Sequence, residues 1–243
     1  MNASRRLLIA AAAVCCLPAW CLAQDKPAND AVVAAPREGG WMTRHNSFNE
    51  RVKKGSVDLL FIGDSITQGW EGQSPRGGQK VWEEFYGKRN AVNLGIGGDR
   101  TQHVLWRLDH GNIDGIKPKL AVLMIGTNNS GTNNSEQIAA GVKAIVEKLR
   151  MKLPETKVLV LAIFPRGADK AAKQREVNEG ANAIIKGLAD EKMVYYLDIG
   201  PKFLAEDGTL SREVMPDLLH LNEQSYRTWA EAIEPSVKKL MGE

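Results

Sequence analysis

Five short apolar runs punctuate this chain: Val57 to Ile62, Ala91 to Leu94, Leu120 to Ile125, Val158 to Phe164 and Met193 to Ile199. The first four end on Gly63, Gly95, Gly126 and Pro165. Runs of this length and composition read as strands buried on both faces. Between them lie segments with helical spacing. These are a helix starting near Ser65, then Lys80 to Tyr86, Thr101 to Leu108, Glu136 to Leu153 stopped by Pro154, and Ala168 to Ala189. A helix over Trp41 to Lys54 precedes the first strand, and one over Glu223 to Leu240, interrupted or kinked at Pro235, closes the chain. Buried strands separated by helices predict an α/β fold, a parallel sheet with helices on both faces. The loop after the second strand, with Asp99 as helix cap and Gln102 three residues on, has the pattern of a capping box.

The N-terminus reads differently. Arg5 and Arg6 precede an uncharged apolar stretch from Leu7 to Pro18, and Cys21-Leu22-Ala23 has the small-x-small pattern of an export cleavage site. The apolar run is short against the roughly 20 residues a membrane span needs. The expected organisation is a signal peptide over 1–23, a flexible leader over 24–40 rich in Ala, Pro and charge, and one domain over 41–243, with the mature protein periplasmic or extracellular. All three cysteines, Cys15, Cys16 and Cys21, fall within the signal segment. No disulfide, thiol nucleophile or thiolate metal site is then expected in the domain. Cleavage also removes two of the 32 Lys and Arg residues and none of the 29 Asp and Glu, leaving a balance of +1 with His neutral. With no dominant basic block, nucleic acid is not an expected partner.

In open parallel sheets ligands sit beyond the carboxyl ends of the strands, and the chemically useful residues fall there. Ser65 follows the first run, Gly97-Gly98 the second and Asn128 the third. Ser65 is a candidate nucleophile on a strand-to-helix turn, although a serine there is also an ordinary helix cap. Thr67 occupies the place where a Gly-x-Ser-x-Gly elbow has its second glycine, which argues against the α/β-hydrolase arrangement. Of four histidines, His45 lies before the sheet, His103 within a helix and His110 at a helix end. His220, in Asp217-Leu-Leu-His220, has an acid three residues before it that can accept the Nδ1 proton and leave Nε2 to act as base. Gly98 and Ser65 can offer backbone N–H groups, and Asn128 a side-chain amide, to a developing oxyanion. Arg166, after the fourth run, reads as a loop charge or a pocket-rim residue. Trp70 and Trp106 read as acyl-pocket walls or core.

Gly63-Asp64-Ser65, Gly97-Gly98-Asp99, Gly126-Thr127-Asn128 and Asp217-x-x-His220 together resemble the four motif blocks of the GDSL/SGNH hydrolase superfamily. The stretch from Asn93 to Leu108 is similar to the catalytic α-subunits of platelet-activating-factor acetylhydrolase, as are Gly126 to Asn129 and Pro165 to Gly167. The resemblance implies a flavodoxin-like three-layer sandwich with strand order 2-1-3-4-5. It places the nucleophile on Ser65, its relay on Asp217 and His220, and oxyanion donors on Ser65, Gly98 and Asn128. Arg166 and Trp70 are the substrate-contact candidates. It calls for no metal or cofactor, makes a homodimer conceivable, and implies hydrolysis of short acyl esters. That group is cytosolic, whereas an export signal stands here, so carbohydrate O-acetyl esters are the expected substrates. An O-acyltransferase or phospholipid acetylhydrolase using the same residues, and a non-catalytic envelope or carbohydrate-binding protein, are the rivals. Asn128 also heads a glycosylation sequon, and a glycan there would obstruct the oxyanion site. This favours a bacterial chain, where the sequon is usually not read.

Overall fold

The computed structural model describes residues 29–243. The expected signal peptide and the first residues of the leader lie outside the described residues. Strands β1 (Leu59–Gly63), β2 (Ala91–Gly95), β3 (Leu120–Met124), β4 (Lys157–Leu161) and β5 (Val194–Leu197) form one sheet in the order β2-β1-β3-β4-β5. Every neighbouring pair is parallel. The helices are α1 (Gly40–Lys53), α2 (Ser65–Gln68), α3 (Gln79–Tyr86), α4 (Thr101–Asp109), α5 (Ser135–Lys152), α6 (Lys173–Ile185) and α7 (Glu223–Met241). The fold class and the strand order are those expected from the motifs.

The period-two geometry of the strands divides the core in two. Leu60, Ile62, Ala121, Leu123, Val158 and Val160 face one layer, which buries Phe48 of α1, Leu105 of α4, Ile145 of α5 and Ile185 of α6. Leu59, Phe61, Leu120, Val122, Leu159 and Leu161 face the other, against Ile66 of α2, Val81 of α3, and Trp229 and Ile233 of α7. Full burial of such side chains stabilises the fold by about 1.5–3 kcal/mol each before entropy is counted.

Register is what positions the site. Gly63 at the end of β1 stands beside Gly95 of β2 and Met124 of β3. The loops that follow therefore leave the sheet at one level. Gly63 itself is required by close approach, since a Cβ there would lie 2.1 Å from Thr67 Oγ1 and 2.5 Å from the Met124 carbonyl oxygen.

Four local expectations give way to tertiary structure. Residues 29–39 of the expected flexible leader form a docked strap. Asp30–Val32 is a turn of 3-10 helix, and Ala31 is fully buried and accepts a hydrogen bond from Thr101 Oγ1 at 2.7 Å. The Ala35 N–H donates to the Gln102 carbonyl at 3.2 Å. The sixth helix begins at Lys173, not Ala168. Gly167 is left-handed (φ 73°), and the Asp169 carboxylate accepts the Ala171 N–H at 2.8 Å, holding the intervening residues in a turn. Asp99 is not the cap of α4. Its carboxylate is drawn into the interior by Arg107, and Arg100 takes the cap position with its N–H on His103 Nδ1 at 3.0 Å. The helix of α7 runs on through Pro235.

Candidate active site

Ser65 is the first residue of α2, directly after β1. The cap is Asp64, whose Oδ1 accepts the Ile66 N–H at 3.0 Å while its carbonyl accepts the Gln68 N–H at 2.8 Å. Ser65 is thus freed from a capping role. Its own N–H is one of the helix-start donors that no intrahelical carbonyl takes up. Asp64 is completely buried. Burial, reinforced by the Asp99 carboxylate, outweighs the Ile66 hydrogen bond and pushes its carboxyl up to about 7 from an ordinary 3.8.

His220 arrives from a point 155 residues further along the chain and sets Nε2 2.9 Å from Ser65 Oγ. Its other nitrogen, Nδ1, lies 2.6 Å from Asp217 Oδ2. That pairing fixes the tautomer: Nδ1–H donates to the carboxylate, and Nε2 is left to accept from the Ser65 hydroxyl. Asp217 also builds the loop that carries the histidine. Its Oδ1 accepts the N–H groups of Leu219 (3.1 Å) and His220 (2.7 Å). Leu218 between them is left-handed at φ 61°, a conformation that costs a non-glycine residue free energy and persists where the surroundings impose it. Here the Leu218 carbonyl accepts the Gly167 N–H at 2.9 Å, tying the loop to the segment that follows β4. Partial burial works to raise the Asp217 carboxyl. The hydrogen bonds from the His220 ring and backbone outweigh it, and the net shift is downward.

The loop after β2 carries the positive-φ residue Gly98 (φ 75°). Gln68 Oε1 accepts the Gly97 N–H at 2.7 Å, so that donor is occupied and Gly98 supplies the next one. Asn128, after β3, donates one amide hydrogen to the Asp99 carbonyl at 2.9 Å, which orients the amide and leaves its second hydrogen for another acceptor. Asn129, fully buried, stitches the β2 and β3 loops together: its Oδ1 accepts the Thr101 N–H at 3.0 Å and its amide donates to Gln102 Oε1 at 3.1 Å. Below them Asp99, with no exposed surface, accepts from Trp41 Nε1 (2.6 Å), Arg107 Nε (2.9 Å) and Arg37 Nη1 (3.3 Å).

The structure therefore draws Ser65, Asp217, His220, Gly98 and Asn128 to one edge of the sheet. Arg166 joins them. Its Nη1 donates to the Thr127 carbonyl and Oγ1 at 3.0 and 3.2 Å, and its charge is felt at both Asp64 and Asp217. It is a half-buried wall residue of an open cleft of about 430 Å³ shared with Lys173, Gln174 and Asp217. A second cleft, about 290 Å³, shares Asp217 with it and is lined by His220, Arg76, Pro216 and Leu221. Trp70 does not join them. It is 1% exposed and packs 4.6 Å from Tyr226 and 4.9 Å from Trp229, centroid to centroid, so it is core and not an acyl-pocket wall. Trp106 stacks on His110 at 3.7 Å, and His45 lies buried against Trp41 and Asn112. Burial first, then nearby arginines, pushes His103 down to about 4. Sequence reasoning did not find Arg37, Gln68 or the Asp99–Arg107 pair. Each acts through a contact that only the folded chain brings together. Among the described residues no group of three or more His, Cys, Asp or Glu side chains is arranged to hold a metal ion, and no helix is long and apolar enough to cross a membrane.

A serine hydroxyl, an imidazole backed by a carboxylate, and amide donors on one sheet edge define the class: a carboxylic ester hydrolase. Residues 61–228 match the GDSL-like lipase/acylhydrolase family, and the chain belongs to it. It is 37% identical over 209 residues to the platelet-activating factor acetylhydrolase IB subunit alpha1 of Homo sapiens, covering 85% of this chain and 86% of that one. In fold it is similar to a carbohydrate acetylesterase family member from Sinorhizobium meliloti (TM-score 0.60, 17% identity, 77% of this chain and 100% of that one). It is likewise similar to an acetyl xylan esterase (TM-score 0.63, 22% identity, 74% and 100%).

Proposed function

We propose that this enzyme removes short acyl groups, acetyl foremost, from esters of carbohydrate alcohols by way of an acyl-enzyme on Ser65. The observation that carries the mechanism is the continuous relay from Ser65 Oγ through His220 to Asp217, at 2.9 and 2.6 Å. In the first step Ser65 Oγ attacks the ester carbonyl carbon while His220 Nε2 takes the hydroxyl proton. The tetrahedral oxyanion forms against the N–H groups of Gly98 and Ser65 and the free amide hydrogen of Asn128. Collapse expels the alcohol, which takes the proton from His220. Water, deprotonated by the same nitrogen, then attacks the acyl-enzyme and releases the acid and the serine.

Two observations support a polar alcohol. The two clefts that share Asp217 carry the polar side chains Arg76, Arg166, Lys173 and Gln174 beside Leu218, Leu219 and Leu221, and no Phe, Tyr or Trp lines either. The structural neighbours include a carbohydrate acetylesterase and an acetyl xylan esterase. The identity to a platelet-activating factor acetylhydrolase subunit favours a second reading, acetyl release from a phospholipid. The export pattern of residues 5–23 supports the carbohydrate reading, since an exported enzyme would meet polysaccharide esters. N-terminal sequencing of the protein recovered from periplasm or medium checks this. The deciding experiment compares acetylated sugars, short nitrophenyl esters, acetylated phospholipid and a sugar acceptor as substrates, with fluorophosphonate labelling of the wild type and Ser65→Ala. Acetate release from sugars that vanishes with Ser65 is expected. Turnover retained by Ser65→Ala refutes the mechanism, and preference for phospholipid or transfer to the acceptor refutes the substrate reading.

A further inference from the structure

The peptide unit between Gly97 and Gly98 carries both an oxygen and the proposed oxyanion donor, because the carbonyl of Gly97 and the N–H of Gly98 belong to the same planar group. Arg37 Nη1 donates to that carbonyl at 2.8 Å. The same guanidinium lies over Gly98, with Nη1 and Nη2 3.3 Å and Cζ 3.6 Å from where a Cβ would stand. It comes from the strap of residues 29–39, outside the strand-and-helix units that supply every other member of the site.

We propose that Arg37 is a positioning residue for the oxyanion site, so that the strap before the first helix completes the active site in cis. The proposal rests on the acyl-transfer reading above. In a trans peptide the C=O and N–H point in opposite directions, so a charged donor that fixes the carbonyl also fixes the N–H. Hydrogen bonding at the oxygen polarises the amide and strengthens its N–H as a donor, an effect that accumulates along hydrogen-bonded chains. A full positive charge then stands one peptide group from the developing negative charge.

The guanidinium is itself held. Nη1 also meets buried Asp99 Oδ1 at 3.3 Å, and that carboxylate is fixed by Trp41 and Arg107. The strap is tied along its length to α4, to α5 and to the loop that precedes α5. Asn29 Nδ2 donates to the Gln137 carbonyl at 3.3 Å, Asn133 Nδ2 to Asp30 Oδ1 at 2.6 Å, and Thr101 and Gln102 hold Ala31 and Ala35. The Arg37 side chain remains 36% exposed, so a small cation from solution can reach its place.

The test uses the full chain and variants Arg37→Ala, Arg37→Lys and Arg37→Gln, with a short nitrophenyl ester as substrate. The active fraction of each preparation is titrated by fluorophosphonate. For Arg37→Ala, kcat per titrated site should fall roughly 10- to 100-fold, less than the 10²–10³ typical of losing a whole oxyanion donor. KM should stay within about twofold, because the interaction strengthens in the transition state. Arg37→Lys should keep part of kcat, Arg37→Gln less, and ethylguanidinium at non-denaturing concentration should restore part of it to Arg37→Ala only. The proposal is overturned if kcat per site stays within twofold of wild type, if KM alone rises, or if the loss tracks the titrated fraction. Absence of fluorophosphonate labelling in the wild type, or retained turnover in Ser65→Ala, would instead remove the acyl-enzyme reading on which it stands.

Discussion

Asn128 tests the oxyanion assignment because its two amide hydrogens are separable in role. One is spent on the Asp99 carbonyl at 2.9 Å and belongs to the fold. The other is free for the transition state. Truncation to alanine removes both, and the two losses have different sizes. A partly buried neutral hydrogen bond contributes about 0.5–1.5 kcal/mol to stability. For a chain of this length that lowers the melting temperature by roughly 1–6 °C. A donor aimed at the oxyanion contributes about 2.7–4 kcal/mol to the barrier, or 10²- to 10³-fold in kcat. Asn128→Ala should therefore fold, melt a few degrees early, and turn over a short nitrophenyl ester at least 100-fold more slowly per fluorophosphonate-titrated site. KM should change little, since the ground-state carbonyl gains little from the donor. Activity within fivefold of wild type in a folded variant would show that Asn128 serves the loop alone, and the donors would have to be sought in the backbone of Ser65 and Gly98.

Asp217→Asn keeps an oxygen for the Leu219 and His220 N–H groups but presents an amide to Nδ1, which forces the imidazole into the wrong tautomer. A loss on the order of 10⁴ in kcat with a nearly unchanged melting curve is expected, and a loss under tenfold would contradict the relay. Asp64→Asn addresses the buried acid beneath the serine. With its carboxyl pushed up to about 7 by burial, the folded protein holds a proton that the unfolded chain has released above about 4. Unfolding free energy should therefore fall as pH rises between those values, by up to about 1.36 kcal/mol per pH unit. The amide keeps an acceptor for the Ile66 N–H and never charges. Its stability relative to wild type should grow from pH 5 to pH 8, reaching about 4 kcal/mol at most, as read from denaturant melts. Parallel pH dependence of the two proteins would mean that Asp64 titrates normally.

The sheet was legible because its signal is local and redundant. Each of the five apolar runs is a strand, and the position of Ser65, Gly98 and Asn128 just past strand ends follows from the sequence without coordinates. Asp217 and His220 were legible for a different reason: three residues across a turn bring a carboxylate to Nδ1 whatever the rest of the chain does. The reading failed where a residue answers to a partner distant in sequence. Trp70 was ambiguous because an aromatic after a strand packs as well on Tyr226 and Trp229, more than 150 positions away, as on a ligand. Asp99 has the composition of a cap, but the Arg107 guanidinium one face along α4 offers it a charged partner in the interior. The strap was read as flexible from its Ala and Pro content, which says nothing of the carbonyl and hydroxyl groups of α4 that wait for it.

The misreadings of Asp99 and the strap share a location, and the strand order explains it. The chain lays β2 on one side of β1 and then crosses to lay β3 on the other, so the segments leaving β1, β2 and β3 meet above β1. That junction is where a ligand fits. It is also where backbone amides and buried carboxylates accumulate without regular secondary structure to satisfy them. Asp64 and Asp99 lie under it with no exposed surface, and Asp64 Oδ2 has no hydrogen-bond partner among the described residues. Hydrogen bonds between its segments, such as Arg107 to Asp99, Asn129 to Thr101 and Arg37 to Gly97, hold the loops there, in place of a continuous ladder. An active edge built this way is readable in its nucleophile and base, which local spacing specifies. It is hidden in its supports, which only the folded chain brings together.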